Sequence, residues 1–156
     1  MSREFTVLSH LSRIALGLFF LVTGVLKLRD LNAFTEDVFN YQILFPPFDA
    51  YTALLVVWLE IIAGLVVLVG RWGLRGGLVT IGGLLLAFIA ALSHAAARGL
   101  NINCGCFGSS EEPTNFPLHL GLNALLLLLT LLLLRHSSTP AKGQVFGPGK
   151  LHLPEE

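Results

Sequence analysis

Hydrophobic positions in this chain fall into four long blocks separated by short polar stretches, not into the spaced stripes of a soluble amphipathic bundle. Each block approaches the ~20 residues needed to cross a bilayer core. The pattern predicts spans over 11–28, 51–70, 74–97 and 117–134. The first block could pass for a signal peptide. However, Lys27-Leu28-Arg29-Asp30 follows it without a small-residue cleavage site, and three further blocks come after it. Arg13 and Lys27 stand near the ends of that block, where both are expected to snorkel into the headgroups.

Between the first two spans, residues 31–50 are too polar to cross. Phe34, Val38 and Tyr41 recur there at helical spacing opposite Glu36 and Asp37, and Pro46-Pro47 ends the run. This predicts a short interfacial helix, with an irregular loop bearing scattered aromatics as the alternative. In the third span Gly83, Ala87, Ala90 and His94 share a face of small residues suited to close helix contact. The fourth is nearly pure leucine, apart from His119, Asn123 and Thr130 on one face, with the leucines expected toward lipid. The fold class is therefore all-α: a polytopic four-transmembrane-helix bundle with a short interfacial helix in the first outer loop. Residues 1–135 form its transmembrane domain. Residues 136–156, rich in Pro, Gly and small polar residues, are expected to be a disordered cytoplasmic tail.

Composition sharpens this picture. Hydrophobic residues make up 54% of the 156 and charged ones 13%, well below the roughly 25% charged of soluble domains. Net charge is zero and no Lys/Arg run occurs, which leaves nucleic acid without an electrostatic footprint. Lipid and protein are the expected partners. Of the 10 Lys and Arg residues, seven (Arg3, Arg13, Arg71, Arg75, Arg135, Lys142, Lys150) fall on the side of the termini and three (Lys27, Arg29, Arg98) on the other. The positive-inside bias then puts both termini in the cytoplasm and the loop after the third span in the periplasm or exterior.

That loop holds both cysteines, Cys104 and Cys106, in Arg98-Gly-Leu-Asn-Ile-Asn-Cys-Gly-Cys-Phe-Gly108. Packing alone explains two cysteines in a Gly-rich polar loop poorly. Cysteines at i and i+2 reach disulfide distance only through a sharp turn, which Gly105 permits, and so tight a ring is of the strained, exchange-prone kind. Outside the cytoplasm such chemistry is at home. Arg98, His94 and His119 are candidates for stabilising a thiolate.

Helix direction adds depth. Glu60, Asn123, His94 and Thr23 all fall in the outer halves of their spans at ~1.5 Å per residue. Polar groups in lipid must find partners, which predicts a polar pocket beneath the cysteine loop. The same groups could instead serve as interhelical glue. Cys104, Cys106, His94 and His119 also make a Cys2His2 set that would suit zinc or Cu(I), although the C-x-C spacing is tighter than usual for zinc.

The chain resembles the MauE branch of the DoxX-like membrane protein superfamily. Four groups of residues carry the resemblance across Arg13 to Leu134: Arg13-Ile14 with Gly17, Gly24 and Lys27; Tyr41 and Pro46; Trp58-Leu59-Glu60 with Gly64 and Gly70; and Arg98-Gly99 with Cys104-Gly105-Cys106-Phe107-Gly108. The last group is the specific part. The resemblance implies a bacterial inner-membrane protein associated with disulfide handling. MauE itself supports maturation of the disulfide-rich small subunit of methylamine dehydrogenase with a thioredoxin-like partner. On this reading Cys104 and Cys106 form the reactive pair, and a periplasmic thioredoxin-like protein and a disulfide-containing client are the partners. A quinone in the polar pocket is a candidate electron acceptor, although this chain lacks the second cysteine pair through which such oxidants commonly relay. A non-catalytic anchor of a redox complex is the alternative, as is a transporter using Glu60 as its proton site.

Overall fold

The computed structural model describes residues 3–70, 73–100 and 115–137. The described chain forms five helices in the order α1 (Arg3–Arg29), α2 (Leu31–Asn40), α3 (Phe48–Val69), α4 (Leu74–Ala97) and α5 (Phe116–Ser137). All but α2 are long and apolar enough to cross a bilayer. The third predicted span matches α4, whereas α1 begins well before Leu11 and α5 continues to Ser137. Hydropathy marks only the lipid-buried part of a helix. Its hydrogen-bond ladder runs on into water at no desolvation cost.

The helices pair antiparallel, with α1 chiefly against α3, α4 chiefly against α5, and α3 joining the two pairs. Two glycines set the approach of α1 to α3. A Cβ built on Gly64 would lie 2.7 Å from the Leu21 backbone N, and one on Gly17 would lie 2.8 Å from that of Leu68. No larger residue fits without moving backbone. The close contact predicted at Gly83, Ala87, Ala90 and His94 does not form. All four are exposed, and nothing lies within 4 Å of a Cβ on Gly83. The inward face of α4 is instead a stripe of Gly77, Leu78, Ile81, Leu84, Leu85, Leu92 and Ala95, because the bulky face buries more apolar area. The main core joins Leu16, Phe20, Ala63, Val67, Leu78, Ile81, Leu85 and Leu133. Outward leucines on α5 include Leu118, Leu125, Leu128, Leu131 and Leu132.

Helix α2 forms where the interfacial helix was predicted. Asp30 caps it, its side chain accepting from the Ala33 N–H at 3.1 Å. Phe34 packs with Ala53 and Val57 of α3. Asp37 departs from expectation: it is buried, not exposed with Glu36. At i+3 from Phe34 and i−4 from Tyr41, it shares their inward face.

Candidate functional site

The buried stripe of α1 is Leu16, Phe20, Thr23 and Lys27, and that of α3 includes Ala53, Val57, Glu60, Ala63 and Val67. Both follow the helical 3–4 alternation, so the two charged residues fall on the facing sides of an antiparallel pair. The Lys27 Nζ donates to Glu60 Oε1 at 2.6 Å, with the residues only 2% and 1% exposed. Gly24, one turn before Lys27, lets Glu60 and Ile61 come close: a Cβ there would meet the Glu60 Cβ at 3.1 Å. The ammonium also lies between two phenyl rings, 4.8 Å from the centroid of Phe34 on α2 and 4.7 Å from that of Phe88 on α4. This cation–π clamp draws three helices onto one charge. Lys27 therefore does not snorkel to the surface. A carboxylate at the same depth, with α2 folded across the way out, makes the interior pair the better solution.

The pair borders a small cavity of about 20 Å³ whose lining also includes Thr23, Phe88, His119 and Asn123. Such a space holds one water. Glu60 Oε2 points to no hydrogen-bond partner among the described residues, so a water there has an acceptor waiting. Thr23 Oγ1 donates to the Phe19 and Phe20 carbonyls at 3.0 and 3.2 Å, and Asn123 Nδ2 donates to the His119 carbonyl at 2.8 Å. Of the predicted pocket residues the fold thus gathers Thr23, Glu60, His119 and Asn123. His94 is not among them. It is exposed, with its Nε2 3.5 Å from Arg98 Nη1, while Arg98 Nη2 donates to Gln42 Oε1 at 3.0 Å.

Lys27 is the member that sequence reasoning missed. The signal was present, since a carboxylate in a span requires a partner and Lys27 was the nearest cation at comparable depth. Asp37 was missed as well. Its carboxyl is pushed up to about 6, first by burial and then by Glu36 and Asp30, with Lys27 opposing. Tyr41, beside it at the end of α2, is pushed up to about 12 by burial and by the Asp37 charge.

The cavity beside the pair has room for a single water. A larger apolar space of about 250 Å³ adjoins it between α2, α3 and α4, beyond Phe34 and Phe88.

Cys104 and Cys106 lie outside the described residues, as does the segment between Leu100 and Asn115. Its flanks are described. Leu100 and Phe116 both pack on the cluster of Tyr41, Leu92 and Ala95, and Asn115 Oδ1 accepts from the Leu118 N–H at 3.3 Å to start α5. The cysteine segment therefore leaves and re-enters the bundle at the end that carries α2 and Lys27. Among the described residues no three His, Cys, Asp or Glu side chains gather as a metal site, and two of the four predicted ligands are the cysteines.

Four apolar spans around an interior ion pair define a multi-pass membrane protein in contact with the lipid bilayer. Residues 6–136 match the family model described as methylamine utilisation protein MauE, and the chain belongs to that family. No curated protein and no solved structure matches it.

Proposed function

We propose that this chain is a thiol–disulfide exchange protein of the bacterial inner membrane, supporting disulfide formation in exported proteins. Such support is of the kind that matures a methylamine dehydrogenase small subunit. The observation that carries the reading is the Cys104-Gly105-Cys106 pair in a segment whose two ends converge on Tyr41, at the end of the bundle holding the protonatable Lys27, Glu60 and Asp37. Family membership supports the link to methylamine utilisation. The charge count supports cytoplasmic termini and a periplasmic cysteine segment, where a thioredoxin-like partner would meet it.

In the exchange, a partner thiolate attacks one sulfur of the Cys104–Cys106 disulfide, and the other sulfur leaves as a thiolate that takes a proton. The second partner thiol gives up its proton and attacks the partner's sulfur in the mixed disulfide; the bond to this chain breaks, and the second cysteine leaves as a thiolate that takes a proton. The partner ends oxidised by two electrons and the pair ends as a dithiol. The Lys27–Glu60 pair holds together the end of the bundle from which this segment departs.

Thiol trapping in cells tests the reading. Cys104 and Cys106 should shift between reduced and oxidised forms as the partner is removed or supplied, and Cys106→Ser should capture a mixed disulfide. A pair fixed in one state, with serine variants fully active, sinks the proposal and favours a non-catalytic anchor.

A further inference from the structure

We propose that the opposite end of the bundle, where α1 begins and α5 ends, carries a binding site for a phosphate group of the kind an anionic phospholipid presents, with the Arg13 guanidinium as its charged fork. Arg13 lies ten residues along α1 from its start at Arg3, near the beginning of the apolar run of that helix. Its side chain is half-buried, and the guanidinium covers the backbone of Gly70: a Cβ on that glycine would coincide with Arg13 Nη1. Gly70 closes α3 with φ 68°, so the residue that accommodates the guanidinium is also the left-handed cap of that helix.

Held this way, Arg13 forms no ion pair among the described residues. Its Nε is enclosed without a hydrogen-bond partner among the described residues, and the ion pair found among them, Lys27 with Glu60, is far along α1. The described carboxylate side chains, Asp30, Glu36, Asp37, Asp49 and Glu60, all belong to the other end or the middle of the bundle. By contrast, His10, Arg13, Arg75, Arg135 and His136 collect at this end. A half-buried guanidinium with an enclosed, unsatisfied Nε is costly without a counter-charge. The neutralising charge must come from outside the described fold.

The space for it is present. A cavity of about 170 Å³ is lined by Ser9, His10, Arg13, Gly70, His136 and Ser137, with leucines behind. Hydroxyl and imidazole donors surrounding a planar Arg fork match a tetrahedral phosphate, which accepts several hydrogen bonds and binds guanidinium in bidentate fashion. A basic pocket between spans at membrane-surface depth is where a headgroup phosphate arrives from the leaflet.

The full-length protein, purified and reconstituted in nanodiscs, tests the site by native mass spectrometry. The wild type should retain phosphatidylglycerol over phosphatidylcholine by about tenfold, and Arg13→Gln should reduce that preference to about twofold or less. Arg13→Lys keeps the charge but not the fork and should lose most of the preference. Ser9→Ala, in the lining of the cavity, removes one hydroxyl donor and should weaken retention by about threefold. Inorganic phosphate supplied to lipid-free protein in neutral detergent separates the sources. Thermal stabilisation by millimolar phosphate that Arg13→Lys abolishes would assign the site to the free ion. Phosphatidylglycerol retention without that response assigns it to lipid. Equal retention of both lipids by the wild type with no phosphate response, or an Arg13→Lys protein indistinguishable from wild type, overturns the proposal.

Discussion

Replacing Glu60 by glutamine isolates the energetics of the interior pair. The substitution leaves the Lys27 ammonium 2% exposed, facing two rings and a cavity for one water. Breaking one side of a buried ion pair costs about 3–5 kcal/mol. The two ring contacts retain roughly 1–2 kcal/mol for the cation, so Glu60→Gln should cost about 1–4 kcal/mol. Lys27→Met loses the rings as well as the partner and strands the carboxylate, at about 3–5 kcal/mol. The double variant buries no charge, only a glutamine amide beside the small cavity, and should cost about 0–2 kcal/mol, far less than a stranded ion. The coupling between the two sites is then at least about 2 kcal/mol, a large share of a total stability near 5–15 kcal/mol. Unfolding of the purified protein by sodium dodecyl sulfate in mixed micelles, followed by far-UV circular dichroism, gives the four free energies. Single variants within about 0.5 kcal/mol of the parent, or a double variant whose cost equals the sum, would refute the reasoning.

Three further outcomes are expected. Gly64→Ala pushes a methyl to within 2.7 Å of the Leu21 backbone and should cost about 1–3 kcal/mol, while Gly83→Ala, which meets nothing within 4 Å, should be stabilising by up to about 1 kcal/mol; the same micelle titration reads both. Because Asp37 is raised in the folded protein from 3.8 to about 6, its contribution is fully present below the unfolded value and lost as pH rises through about 6. The thermal midpoint of the wild type should therefore fall between pH 4 and 7, and Asp37→Asn should flatten that slope. Phe88→Leu removes one ring from Lys27 and should cost about 1–2 kcal/mol, and Phe88→Leu in the Lys27→Met background should cost measurably less.

The spans were legible because a run of apolar residues long enough for a bilayer has few other uses, and α2 was legible from Phe34 and Tyr41 at helical spacing. Glu60 was legible as an inward residue for a reason equally general, the cost of a carboxylate in lipid. Which residue answers Glu60 depends on the pairing of α1 with α3, and that pairing is set by Gly17 and Gly64, whose meaning appears only when the helices are side by side. The small face of α4 misled because small residues permit close contact without requiring it. His94 misled because depth along a helix fixes the level of a side chain but not its bearing. At the end of α4 the bearing of His94 is outward, toward Arg98.

The clamp around Lys27 also constrains how the chain can be made. As α1 leaves the ribosome it carries a lysine with no counter-charge, and α3, with Glu60 nine residues from its end at Val69, is no better suited to lipid alone. A carboxylate near the centre of an isolated span, as Glu60 is in α3, disfavours insertion by about 2.5–3.5 kcal/mol. Together the two helices are neutral, so α1 gains its stable place when α3 arrives, 33 residues later in the chain. The two halves of the neutral pair thus lie on the first two spans of the chain, joined through α2, so the fold favours insertion of α1 and α3 as one hairpin ahead of α4 and α5.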